Sequence, residues 1–249
     1  MSLPISLLFA TTTKGHFDRR YIYSSTLQDW EAQKHLDIFS YKRAHIKNGK
    51  EDANWTAEGM REDILSYDFN EVLITEGNFK HFDASHSIGQ LQDIGTLIEN
   101  IPTPYIFFLE DDFLVRAKNN NLEFHIKQSI ELLESNEGVS QVRVPRHFND
   151  FPHYKTLHRC HNGWLSQDDI FSFNPYIART SDIVKLYNSV AVQQDLIIGL
   201  INQGILNSEL TFTNLARQLR GPYSFWSFGS SNIQCYHIGT KQGEEDKLD

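Results

Sequence analysis

Tyr105-Ile106-Phe107-Phe108-Leu109-Glu110-Asp111-Asp112-Phe113 is the stretch on which the fold turns. Five apolar residues without a polar interruption fit a strand buried on both faces, as at the centre of a parallel sheet. Upstream, Ser87 to Asn100 spaces Ile88, Leu91, Ile94, Leu97 and Ile98 along one helical face, with Ile101 continuing it. Pro102 and Pro104 end that helix before the strand begins. Further out, the same alternation repeats. Ile5 to Ala10 reads as a strand, Asp18 to Trp30 as a helix and Leu36 to Tyr41 as a strand. Ala57 to Ser66 reads as a helix and Glu71 to Thr75 as a third strand. Strand and helix in turn predict an α/β fold with a mixed, mostly parallel sheet flanked by helices on both faces.

Beyond Phe113 the pattern is less regular. His125 to Leu133 reads as a helix, Val139 to Val144 as extended and Phe171 to Ala178 as a strand. A helix is expected from Ser181 to about Val190, with Ser181 or Thr180 as its N-cap. Gln193 to Asn202 and Leu210 to Arg220 read as helices, and Ile233 to His237 as a last short strand. No repeat or linker divides the chain, so residues 1–240 are expected to form one domain, with 241–249 a polar, mostly acidic tail.

Composition narrows the class. The 249 residues are 40% hydrophobic and 12% aromatic, enough for a packed core. Acidic residues outnumber basic ones 32 to 23, a formal charge of −9, against the clustered Lys and Arg of a nucleic-acid binder. No run approaches the length of a membrane span, and Met1 to Phe9 lacks the marks of a signal peptide. Two cysteines, Cys160 and Cys235, make no disulfide framework. A soluble, cytoplasmic protein is expected, which leaves the sequon at Asn54-Trp55-Thr56 without meaning.

Two acidic triplets occur, and position separates them. Glu244-Glu245-Asp246 lies in the polar tail, whereas Glu110-Asp111-Asp112 follows a buried strand, where α/β sheets place their ligands. Alternate residues point the same way, so Glu110 and Asp112 share a face. Carboxylates set against an apolar strand need compensation. A divalent cation supplies it, and hard oxygen ligands suit Mg²⁺ or Mn²⁺. The plainer account is a solvated strand end paired with nearby Arg116.

Gly89 to Asp112, GQLQDIGTLIENIPTPYIFFLEDD, resembles the helix–strand–Asp-X-Asp stretch of family 2-like GT-A glycosyltransferases. Phe9-Ala10-Thr11-Thr12-Thr13-Lys14 is similar to their first strand and nucleotide-contacting loop. The resemblance implies a GT-A fold and transfer of a sugar from a nucleotide sugar to a hydroxyl acceptor such as a carbohydrate. It implies Asp112 as a direct metal ligand, Glu110 near the ribose or a metal-bound water, and Asp111 near the donor sugar. Thr11, Thr13 and Lys14 would meet the nucleotide. Cys235-Tyr236-His237-Ile238-Gly239-Thr240-Lys241 resembles the late element that completes the site, with His237 as third ligand and Lys241 toward the β-phosphate. A cation there stabilises the charge that builds on the departing nucleoside diphosphate.

An inverting transfer also needs a carboxylate to deprotonate the acceptor. Asp195, opening a late helix, matches the place where related enzymes hold it, and Asp169 in Asp168-Asp169 competes. Trp164, close by, offers an aromatic face to a sugar. The chain departs from the family in two ways. Phe39-Ser40-Tyr41-Lys42-Arg43 carries no base-reading acid at the end of the second strand, leaving Lys42 or Arg43 for phosphate or surface. Gln92-Asp93 stands where an Arg-Asn pair is usual, so UDP is the default base rather than a reading. His147, His153, His158, Cys160 and His161 match no standard zinc spacing. The alternatives are a non-catalytic nucleotide-sugar-binding module and a sugar nucleotidyltransferase. The latter would want a Gly-rich, Arg-containing loop where Thr11 to Gly15 stands.

Overall fold

A computed structural model describes residues 2–13, 19–49, 56–77, 84–117, 122–144, 157–161, 164–167, 171–221, 224–228 and 233–237. The chain opens with β1 (Leu3–Thr12), α1 (Arg19–Ala32), β2 (Phe39–Gly49), α2 (Ala57–Leu65) and β3 (Glu71–Gly77). It continues through α3 (Ala84–Ile98), β4 (Tyr105–Glu110), β5 (Phe113–Ala117), α4 (Leu122–Ser135) and β6 (Gln141–Arg143). There follow β7 (Leu157–His161), β8 (Trp164–Gln167), β9 (Tyr176–Arg179), α5 (Thr180–Val192), α6 (Gln194–Asn202) and α7 (Ser208–Arg220). The last elements are β10 (Phe225–Phe228) and β11 (Ile233–His237).

Nine of these strands form one sheet in the order β3-β2-β1-β4-β9-β6-β10-β8-β7, and β5 pairs with β11 apart from it. β1, β2, β3 and β4 are parallel neighbours. β9 runs against β4 and β6, and β8 against β10 and β7. The expected mixed, mostly parallel sheet between helices is what forms.

The centre is buried on both faces because alternate residues feed two cores. Ile5, Leu7, Phe9, Phe107 and Leu109 pack with Tyr23, Leu27 and Trp30 of α1. Leu8, Ala10, Ile106 and Phe108 pack with Leu91, Ile94, Leu97 and Ile98 of α3 and with α5, α6 and α7. The apolar face read from the α3 sequence is the face that docks.

Three sequence boundaries move. Leu36–Ile38 forms a 3₁₀ turn, and the second strand runs on to Gly49 instead of stopping at Tyr41. Of its buried polar residues, Arg43 pairs with Glu71 and donates to the Leu97 and Glu99 carbonyls at the end of α3, and the Lys42 backbone amide donates to the Asn70 side chain. Phe171 to Pro175 is not strand. Its amides are met by side chains, Phe171 by Thr213 at 2.7 Å, Ser172 by Gln141 and Phe173 by Glu209 at 3.2 Å each, so no ladder is needed. α5 is capped by neither Thr180 nor Ser181. Arg179 takes the N-cap position without a side-chain cap, and the Thr180 hydroxyl donates instead to the Thr103 carbonyl at 2.7 Å.

Candidate functional site

The chain leaves β1 toward β2 and β3 on one side and returns to place β4 on the other. The crevice at the carboxyl ends of β1 and β4 is therefore the topological switch point. Ala10 and Glu110 pair across it. The acidic triplet starts there because β4 ends there.

Glu110 and Asp111 turn to opposite sides. Asp111 turns toward α1 and is buried. Its carboxylate accepts the Thr11 hydroxyl at 2.7 Å, its amide donates to the Ala10 carbonyl, and its own carbonyl accepts the Thr26 hydroxyl. Thr11 and Asp111 thus brace the turn against β1 and α1. Glu110 turns the other way, toward α3, where Gln90 donates to it at 3.3 Å. Its carboxyl is enclosed although the residue keeps partial exposure. Burial pushes that carboxyl well above the usual range; the charges of Asp112 and Asp93 add to the rise, while Lys47 and the Gln90 bond work against it. Asp112 is close enough to Glu110 for the two charges to repel. Arg116 does not pair with the triplet in any described contact; it is exposed, with its guanidinium 5.9 Å from the Tyr236 ring centre.

Beside this pair lies a group that the sequence reading missed. Asp93 of α3, 2% exposed, is bonded by His45 Nδ1 at 2.7 Å and Lys47 Nζ at 2.5 Å. His45 also meets the Thr75 hydroxyl at 2.7 Å. Burial opposes ionisation of Asp93, but Lys47 and His45 outweigh it and hold the carboxyl below its usual value. The signal was present: Ala44-His45-Ile46-Lys47 alternates like a strand with one polar face, and ending β2 at Tyr41 hid it. Lys47 further fixes the first loop through its carbonyl, which accepts the Thr13 amide at 2.9 Å and the Thr12 and Thr13 hydroxyls.

The later elements reach the crevice unequally. β11 pairs with β5 so that His237 stands opposite Phe113, the residue after Asp112. Asp195 sits in the first turn of α6, exposed, with no described contact to Glu110 or Asp112. α7 is joined to the site instead: Ser208 donates to Gln90 at 2.5 Å, and Gln90 donates to Glu110. Glu209 follows Ser208 and accepts the Phe173 amide. Lys14, Asp168, Asp169 and Lys241 lie outside the described residues. Among the described residues no group of three His, Cys, Asp or Glu converges as a metal site. Lys42 and Arg43 are taken up inside the fold, not offered to a ligand.

No protein-family model matches the sequence, and no curated protein matches it. Solved structures do resemble it. S. aureus TarS 1–349 matches at 9% identity and TM-score 0.46, covering 94% of this chain and 59% of that one. The same protein in complex with UDP matches at 7% identity and TM-score 0.47 over the same shares. UDP-glucose pyrophosphorylase complexed with UDP-glucose matches at 10% identity and TM-score 0.50, covering 94% and 93%. The chain spans less than two thirds of the TarS chain it matches. At these identities the pyrophosphorylase likeness speaks for a Rossmann-like α/β fold and no more. Among the described residues no helix is long and apolar enough to cross a membrane.

Proposed function

We propose that the chain is a cation-dependent glycosyltransferase of the GT-A type, moving a sugar from a nucleotide sugar, with UDP as the first base to test, to a hydroxyl acceptor. The observation that carries the reading is one of charge at the switch point. Glu110 and Asp112 repel each other in an enclosed place, and Lys47, the nearby cation, is already bonded to Asp93. A donor set of two carboxylates fits Mn²⁺ or Mg²⁺. Glu110 and Asp112 would hold it, with His237, carried opposite Phe113, as the third ligand. Such a cation would take up the charge that develops on the leaving diphosphate.

The acceptor base belongs to a carboxylate near this pair. The Ser208–Gln90–Glu110 connection supports Glu209, at the start of α7, ahead of the exposed Asp195 and of Asp169. Its place in the first turn of a helix also favours the anion. Thr11 and Asp111 would serve as scaffold, while Thr13, Lys14 and Lys241 remain the candidates for nucleotide and phosphate.

A second reading, a sugar nucleotidyltransferase, is supported by the likeness to UDP-glucose pyrophosphorylase over 93% of that chain. One experiment separates them. The chain is incubated with a panel of nucleotide sugars, with and without Mn²⁺ and with and without pyrophosphate. Cation-dependent release of nucleoside diphosphate is expected. Nucleoside triphosphate formed only with pyrophosphate would favour the second reading. Binding without turnover would favour a non-catalytic module, and no cation-dependent binding of any donor would sink all three.

A further inference from the structure

We infer that Gln90 is the positioning residue that aims Glu110, and that Ser208 holds the Gln90 amide in place from its far end. The inference rests on the cation reading above and concerns a residue to which that reading gives no task. A glutamine amide is two-ended: its oxygen accepts and its nitrogen donates. Ser208, 2% exposed at the first position of α7, gives its hydroxyl to Gln90 Oε1 at 2.5 Å. The nitrogen faces Glu110 and donates to Oε1 at 3.3 Å. A carboxylate oxygen accepts, so the amide nitrogen can hold Oε1 of Glu110 in place. With Oε1 taken, Oε2 has no partner among the described residues and is left for a cation.

Lys47 acts on Glu110 through its charge, and Gln90 through a hydrogen bond. The Tyr176 ring stacks on Phe108 with centroids 5.2 Å apart, and its phenol feels the Glu110 charge. Its hydroxyl is nonetheless buried and makes no hydrogen bond among the described residues. Gln90 is therefore the one described donor to Glu110. The relay also joins three elements far apart in sequence, α7, α3 and β4, so a displacement of α7 reaches Glu110 through one side chain. Partners that orient a metal ligand usually change metal affinity by about 10- to 100-fold when removed.

The test uses the full chain and Mn²⁺ alone, with free Mn²⁺ read by electron paramagnetic resonance, so that neither nucleotide nor turnover enters. Gln90→Met keeps the length of the side chain and removes both polar ends. It is expected to weaken Mn²⁺ binding by about 10-fold, and Ser208→Ala by about 3-fold. The double variant is expected to be no weaker than Gln90→Met, because Ser208 acts only through Gln90. A merely structural role would lower the fraction of folded protein and its melting temperature while the Kd of the folded fraction stayed constant. An unchanged Kd in Gln90→Met, or independent effects that multiply in the double variant, would overturn the inference. Should Gln90→Met fail to fold, Ser208→Ala decides alone by the same criterion. If the unaltered chain binds no Mn²⁺, the cation reading itself fails and takes this inference with it.

Discussion

Asp182 and Glu110 are both carboxylates drawn into the fold, and the fold treats them in opposite ways. Asp182, 0% exposed in the first turn of α5, receives Arg220 through two bonds of 2.6 and 3.0 Å and Arg179 at 3.1 Å. The pairing is strong enough to raise the Arg220 pKa, with the Asp182 hydrogen bond as the main cause. Arg179 then carries the connection onward to the carbonyls of Leu133, Asn136 and Val139, tying α5 to the end of α4. Glu110 has a neutral amide from Gln90 and a like charge from Asp112. A carboxylate answered by its own arginines is part of the frame. A pair of like charges set side by side, as Glu110 and Asp112 are, is placed to receive a cation. The comparison is a better guide to function than burial alone, since Asp93 and Asp111 are as buried as Asp182 and are also fully engaged.

The sharpest way to break the comparison is to remove each carboxylate in turn. Asp182→Ala leaves two arginines facing an apolar space and is expected to cost about 3–5 kcal/mol in urea unfolding. Asp112→Ala is expected to cost less stability than Asp182→Ala, while Mn²⁺-dependent binding of a UDP-sugar falls at least about 100-fold, close to 2.7 kcal/mol. If the two variants exchanged effects, the division between frame and site would be wrong. Lys47→Met takes the cation from Asp93 and is expected to cost about 1–3 kcal/mol, because a buried carboxylate loses a charged partner. A smaller loss than for Asp112→Ala in donor binding would keep Lys47 on the frame side.

The smallest expected effect is one of pH. Burial lowers the His35 pKa against a weaker pull from Asp29, and burial lowers that of His125 as well. A base whose folded pKa is depressed contributes full stability above its unfolded value, near 6.5, and loses it as the pH falls below that point. Unfolding free energy should therefore drop as the pH falls from 7.5 to 5.5. His35→Leu should flatten that limb, and an unaltered slope would remove His35 as its source.

Much of the first half was legible because its periodicities are clean. The Tyr105–Leu109 run, the α3 face and the strand–helix alternation specify the sheet centre and the crevice beside it. That Glu110 lies at the end of β4, with the charge of Asp112 near it, was legible for the same reason. What escaped depended on distant partners. The end of β2 carries His45 and Lys47 inside, which is stable only because Asp93 arrives on α3. Phe171 and Phe173 have strand-like composition, yet Thr213 and Glu209 on α7 take their amides. Ser208 touches Gln90 across more than a hundred residues, so its part in the site leaves no local mark. The Asp195 assignment drew on local helix position, which says nothing of where that helix docks.

The pairing of β11 with β5 has a bearing on when the site comes into being. His237 opposite Phe113 closes a loop of more than a hundred residues, a contact of high order. On a ribosome the sheet centre with its acidic triplet emerges first, and β11 can zip onto β5 only after nearly all of the described chain has emerged. Cation affinity would then mark the finished molecule, low in any shorter nascent chain and rising in the last step. A chain stopped before Ile233 is expected to keep the parallel sheet while lacking the strand that brings His237 to its place.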